Sequence, residues 1–209
     1  MSLPLYLASA SPRRLELLRQ IGIEPRLLLP DAGEDAEALE QPLAGEAPRA
    51  YVQRVARAKF DAAALRLRRR GGPAGVVLAA DTTVALGRSI LGKPADRAQA
   101  VAMLERLSGR RHRVLTAVVA GLAGGPNEAE APLQALSVSL VRFAPLDRAA
   151  IERYVESGEP FGKAGAYALQ GRAAAFVQAL AGSPSGVIGL PLYETALLLQ
   201  RLGAELQCG

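Results

Sequence analysis

The chain has 209 residues, half of them apolar, which suffices for a single domain with room for two lobes around a core of Leu, Val, Ile and Ala. Its net charge of +5 suits an anionic partner, but the basic residues are scattered and aromatics for stacking bases are few, which excludes a dedicated nucleic-acid binder. One cysteine (Cys208) and one histidine (His112) exclude an internal disulfide, a cysteine-based metal site and a histidine cluster.

In chain order, the apolar run 3–8 predicts a short buried strand that breaks into Ser9-Ala10-Ser11-Pro12-Arg13-Arg14. Pro12 fits the first helical position, where its missing N–H costs nothing, and Ser11 falls where an N-cap belongs. The amphipathic helix runs from Pro12 to about Ile21 and stops at Gly22. Residues 24–29 read as a second strand, and 30–48 as a loop carrying Asp31, Glu34, Asp35, Glu37, Glu40 and Glu46. A long helix from about Arg49 to Arg70 is closed by Gly71-Gly72-Pro73. The apolar run Val76 to Ala80 predicts a buried strand with Asp81 at its C-terminal end, and Val84 to Leu91 a hairpin turning at Gly87-Arg88. A helix at 96–107, strands at 112–121 and 134–144, a helix at 147–156 and a Gly-rich stretch at 158–171 come next. The chain continues with a strand from Ala173 to Leu180 and a helix from Leu190 to Leu202. This mixture predicts an α/β fold with a mixed sheet. No signal peptide or long apolar span is visible, and the expected compartment is the cytoplasm.

The richest chemistry lies at the first helix start. Free N–H groups, two hydroxyls and two guanidinium groups converge there at the end of a strand, an arrangement that suits phosphate. Asp81, followed by Thr82 and Thr83, reads two ways: as a carboxylate placed to hold a metal or activate water, or as a cap of the following turn. Lys93 in Gly92-Lys93-Pro94 is by itself most simply a turn lysine, although such a setting also suits phosphate. Lys59 has the apolar or small neighbours Val55, Ala56, Ala62 and Ala63 three and four positions away, which a snorkelling stem explains. Glu34 alone reads as a solvated loop residue. The stretch Lys163 to Gly171 combines small residues with Lys163 and Gln170, whose amide suits the edge of a base. Arg68-Arg69-Arg70 reads as a complement to a helix dipole, and His112, among arginines, as a surface residue. Any metal must be held by carboxylates and water, which favours Mg²⁺ or Mn²⁺.

Six segments together resemble the Maf family of nucleoside triphosphate pyrophosphatases. They are Leu7 to Arg14, Ala80-Asp81-Thr82, Ile90 to Pro94, Leu107 to Arg110, Lys163 to Gly171 and Gly189 to Leu192, in order and through nearly the whole chain. The resemblance implies an elongated mixed α/β sheet flanked by helices with a central cleft, related to that of the inosine triphosphate pyrophosphatases. It implies cleavage of a nucleoside triphosphate between the α and β phosphates with a divalent cation. On it, Asp81 is the proton acceptor that activates water and lies near the metal, and Glu34 helps hold the cation. Ser9, Arg13, Arg14, Lys59, Lys93 and Lys163 are implied to bind the triphosphate.

Lys163-Ala164-Gly165-Ala166-Tyr167 with Gln170 is similar to the branch acting on dTTP and UTP, in which Arg13, Thr82 and Gln170 match the specificity positions. Gly33, Ser89 and Gly186 depart from the residues common in the family. The alternatives are a pyrophosphatase for 7-methyl-GTP or another non-canonical purine nucleotide, and a septum-formation regulator that only binds nucleotide. The expected partners are the nucleotide and, from the family, a second copy of the chain in a homodimer; no membrane or nucleic acid is expected.

Overall fold

The computed structural model describes residues 3–35, 37–125 and 131–204; Cys208 lies outside them. The strands are β1 (Leu5–Leu7), β2 (Arg26–Leu27), β3 (Gly75–Leu86), β4 (Ser89–Leu91), β5 (Arg111–Ala123), β6 (Leu133–Phe143) and β7 (Val177–Ala181). The α-helices are α1 (Pro12–Gln20), α2 (Pro48–Arg69), α3 (Arg97–Leu107), α4 (Arg148–Glu156), α5 (Pro184–Ile188) and α6 (Leu192–Arg201). Strand order is β2-β1-β3-β5-β6-β7, with β4 also on β3. β1 pairs in parallel with β2 and β3, whereas β4 on β3 and β7 on β6 are antiparallel. This is the mixed α/β architecture expected. No helix among the described residues is long and apolar enough to cross a membrane.

Contacts divide the described residues into two compact units, one within 1–81, 116–136 and 189–209, the other within 82–115 and 137–188. In the first, α2 starts at Pro48 and buries Val52, Val55, Ala56, Phe60, Ala63 and Leu67, the three- and four-residue spacing of one helix face. In the second, Leu104, Leu107, Val141, Phe143, Ile151 and Tyr154 belong to one apolar cluster. The helices there start on side-chain caps: Asp96 accepts from the Gln99 amide at 2.8 Å and Asp147 from the Ala150 amide at 2.6 Å.

Several expectations are corrected. β3 does not stop at Ala80. The β-branched Thr82-Thr83-Val84 carries the strand on until Val84, Ala85 and Leu86 pair with Leu91, Ile90 and Ser89. Asp81 is therefore inside a strand, not at its end. The hairpin itself turns at Gly87-Arg88 as expected. The strand expected from Ala173 begins only at Val177, because Arg172–Phe176 forms a 3₁₀ turn whose first amides are captured by the Glu159 carboxylate. Helix α5 was not expected, although Ser183-Pro184 repeats the signal of Ser11-Pro12: the Ser183 hydroxyl accepts from the Gly186 amide at 2.9 Å.

His112 is buried, with 2% of its surface exposed. Arg111 and Arg113 on either side point to solvent, so the two-residue period of β5 turns His112 inward. Its Nε2 lies 2.9 Å from the Tyr167 hydroxyl, and the ring meets Phe143 and Tyr167 edge-on. Burial pushes the imidazole pKa down to about 4, the Arg110 backbone opposing. A histidine held neutral in the fold protonates more readily when unfolded. Its contribution to stability is present above pH 6.5 and lost as pH falls toward its folded pKa. We expect His112 to account for a loss of about 2 kcal/mol between pH 7 and pH 5. Urea titrations at the two pH values check this, because His112→Gln removes that part of the slope.

Candidate active site

In the first unit, the chain leaving β1 enters α1 through Ser9, Ala10 and Ser11, with Pro12 at the first helical position. The expected Ser11 side-chain cap is absent: Ser11 makes no capping bond, and its own amide donates to Ser9 Oγ at 3.2 Å. Ser9 Oγ also accepts from Arg14 Nη1 at 3.1 Å, while Arg14 Nε donates to the Gly189 carbonyl at 2.8 Å. The guanidinium is thereby aimed by a bond to the loop before α1 and a bond to the segment before α6. Burial lowers its pKa, Asp81 pulls it back up, and Arg13 and Glu40 add smaller opposite effects. Arg14, Arg13, Asp81 and Glu40 thus share one electrostatic neighbourhood.

Its centre is Lys59, carried by α2. Lys59 Nζ donates to Asp81 Oδ1 at 2.6 Å and to Glu40 Oε1 at 2.7 Å. Asp81 is 5% exposed. Burial raises its carboxyl pKa above the ordinary range, against the opposing pull of Lys59 and Arg14, and Glu40 adds to the rise. A carboxylate that is buried, tethered and raised in pKa is suited to accept a proton.

Glu40 was missed by the sequence reading, which took Glu34 as the second carboxylate. Glu34 is occupied elsewhere. It accepts from Arg66 and Arg69, and the Arg66 hydrogen bonds hold its pKa down at about 2. Arg66 is itself buried and donates to the Leu28 carbonyl at 2.9 Å. Arg69 and Arg70 reach Asp31 as well, so the end of α2 clasps the loop after β2 rather than merely complementing a dipole. Nothing in the local spacing distinguishes Glu40 from the other acidic residues of 30–48; its pairing with Lys59 arises only when the loop folds back on α2.

In the second unit, Thr82 follows Asp81 on β3, and Lys93 is exposed in the turn after β4. The Gly165 amide donates to the Gly92 carbonyl at 3.0 Å, which ties the Lys93 turn to the stretch 163–171. Gly165 has φ +69°, and a Cβ there would lie 2.8 Å from Val84, so only glycine fits. Lys163 Nζ donates to the carbonyls of Glu159 and Phe161. Gln170 is exposed at the end of this stretch. Glu159 braces it by accepting from Tyr154 Oη at 2.9 Å and from the Arg172 amide at 3.0 Å. A Cβ on Gly171 would fall 2.2 Å from that carboxylate.

For a metal, the described residues contain no group of three or more carboxylate, imidazole or thiol side chains close enough to hold one ion. The pair Asp81 and Glu40 nonetheless supplies hard oxygen donors on either side of Lys59, a set that fits Mg²⁺ or Mn²⁺ completed by water and phosphate oxygens.

Residues 4–202 match the model of the family described as Maf-like protein. The dTTP/UTP pyrophosphatase of Ralstonia nicotianae is 60% identical over 202 residues, covering 97% of this chain and 95% of that one. That of Burkholderia lata is 61% identical over 196 residues, covering 94% and 91%. That of Albidiferax ferrireducens is 57% identical over 199 residues, covering 95% and 96%. Among solved structures, the Staphylococcus aureus Ham1 protein has 16% identity and a TM-score of 0.44 over 68% of this chain and 72% of that one, a likeness that carries no inference here. With the family match running from β1 through α6, and relatives near 60% identity over almost their full length, the chain belongs to the Maf-like family.

Proposed function

We propose that this protein is a nucleoside triphosphate pyrophosphatase that hydrolyses dTTP and UTP to the monophosphate and pyrophosphate. The observation that carries the reading is the buried Asp81 carboxylate, raised in pKa and tethered to Lys59 opposite Glu40. The names of relatives at about 60% identity support the substrate class. Asp81 takes a proton from the attacking water as its oxygen bonds to phosphorus; the bond between the α and β phosphates breaks, and pyrophosphate leaves. Ser9, Arg13, Arg14, Lys59, Lys93 and Lys163 are the contacts to phosphate, offsetting its charge. Arg14, already aimed by Ser9 and Gly189, meets the triphosphate without having to be reorganised. Arg13, Thr82 and Gln170 select the base, and a glutamine amide offers both a donor and an acceptor to a pyrimidine edge.

Asp81 and Glu40 are the residues that would hold a divalent cation, which would neutralise developing charge on phosphate oxygens.

The test is pyrophosphate release from dTTP, UTP, CTP, ATP, GTP and 7-methyl-GTP with Mg²⁺ or Mn²⁺. We expect dTTP and UTP to exceed the others by about tenfold or more in kcat/KM, and Gln170→Ala to erode that margin. Equal turnover of ATP or GTP overturns the substrate assignment. Preference for 7-methyl-GTP moves the protein to the purine reading, and binding without cleavage makes the nucleotide a ligand only.

A further inference from the structure

Glu40 sits at the end of a one-turn 3₁₀ helix, Ala38–Glu40, in an otherwise irregular acidic loop. Such a turn leaves its last carbonyls without partners inside the helix. Here three successive carbonyls are taken up by two side chains of α2. Tyr51 Oη donates to the Glu40 carbonyl at 2.9 Å. Arg54 Nη1 donates to the Leu39 carbonyl at 3.4 Å and Nη2 to the Gln41 carbonyl at 2.9 Å. The remaining edge of the same guanidinium binds Glu46 through both carboxylate oxygens, at 2.7 Å from Nε and 2.8 Å from Nη2. Glu46 closes the circuit by accepting from the Leu43 amide at 3.1 Å. Its side chain is 8% exposed, against 33% for Arg54, whose guanidinium carbon lies 5.7 Å from the centre of the Tyr51 ring.

We propose that Arg54, braced by Glu46 and Tyr51, is a positioning residue that sets the backbone of residues 39–41 so that the Glu40 carboxylate meets Lys59. This rests on the reading of Lys59, Asp81 and Glu40 as the reacting site. The geometry argues for it in three ways. The bonds go to backbone on both sides of Glu40, so they fix the direction of its side chain without using its carboxylate. Tyr51, Arg54 and Lys59 are on one helix, which means that the same rigid element holds the Glu40 backbone and receives its head group. And the clamp demands a planar fork: the guanidinium spends its N–H groups in several directions at once, which an ammonium on a single carbon cannot imitate.

The experiment measures kcat and KM for dTTP in Glu40→Gln, Arg54→Ala, Arg54→Lys and the double variant Glu40→Gln/Arg54→Ala. Alongside these, hydrogen exchange follows the amides of 39–46 and of α2. We expect Arg54→Ala to lower kcat by about 100-fold with little change in KM, the size of effect that follows from misplacing a reacting group. The double variant is expected to be no worse than Glu40→Gln alone, since Arg54 acts only through Glu40. Arg54→Lys is expected to stay nearly as slow as Arg54→Ala, and exchange to accelerate in 39–46 while α2 stays protected. Losses that multiply in the double variant overturn the proposal, as does full activity in Arg54→Lys or Arg54→Ala. Wild-type activity in Glu40→Gln overturns the reading of the site itself, a result distinct from failure of the clamp alone.

Discussion

Asp81→Asn is expected to lower kcat by about three orders of magnitude while leaving the fold intact. The amide keeps the shape of the side chain and an oxygen that can accept from Lys59 Nζ, now 2.6 Å from Oδ1. It loses the ability to take a proton and half of the charge that faces Lys59 together with Glu40. The stability effect runs the other way. A carboxyl whose pKa is raised by burial contributes stability at low pH that is lost as pH climbs through its folded value. The asparagine variant has no carboxyl to ionise in that buried position and is therefore expected to melt no lower than wild type. Rates of pyrophosphate release and thermal melts at pH 7.5 check both halves. More than a tenth of the wild-type kcat in a folded variant overturns the role of Asp81 as proton acceptor. The acid limb of the wild-type pH profile is expected above the ordinary carboxylate range, because burial outweighs Lys59 and Arg14.

Lys59→Met is expected to destabilise the protein by about 3 kcal/mol at pH 8, besides removing activity. The methionine replaces the aliphatic stem but leaves Asp81 and Glu40 facing the same space without the ammonium that bridges them. Side-chain exposures of 16% for Lys59, 8% for Asp81 and 24% for Glu40 leave little water to take its place. With Lys59 gone, the Asp81 carboxyl pKa rises further, since the attraction of Lys59 is the largest influence lowering it. Protonation then relieves the repulsion, so the deficit shrinks as pH falls toward 5. Urea unfolding of variant and wild type at pH 8 and pH 5 measures it. An unchanged midpoint at pH 8 shows that the two carboxylates do not depend on the lysine.

These two predictions concern residues that differ in how far the sequence reveals them. Asp81 stands out because a carboxylate follows five apolar residues, yet its placement inside β3 depends on the pairing of Val84 to Leu86 with β4. Lys59 is bland on its helix, since a snorkelling stem and a buried ammonium have the same neighbours in sequence. Only the approach of β3 and of the loop before α2 gives it two carboxylates. The resemblance to known pyrophosphatases implies Lys59 as a phosphate contact and Glu34 as a cation holder, whereas the carboxylate that meets Lys59 beside Asp81 is Glu40. Six acidic residues lie within 30–48, and a loop without periodicity offers no local rule for choosing among them.

His112 teaches the complementary lesson. Its inward orientation was legible, because alternation with exposed Arg111 and Arg113 is the strand period, but the surrounding charge masked it. The short helix α5 was legible too, from the same Ser-Pro start that marked α1.

The opening of α1 at Pro12, the spans of α2, α3 and α4, the β3–β4 hairpin and the mixed α/β class were determined by the sequence alone. Periodicity, proline at a helix start and glycine at a turn act between residues a few positions apart, where the chain carries its own geometry. Tertiary structure alone decided that Glu40 rather than Glu34 faces Lys59, that Glu34 belongs to Arg66 and Arg69, and that Arg54 and Tyr51 capture the carbonyls around Glu40. Those choices depend on which charged groups a folded loop brings within hydrogen-bond distance, and a carboxylate in water meets no local preference strong enough to select its partner.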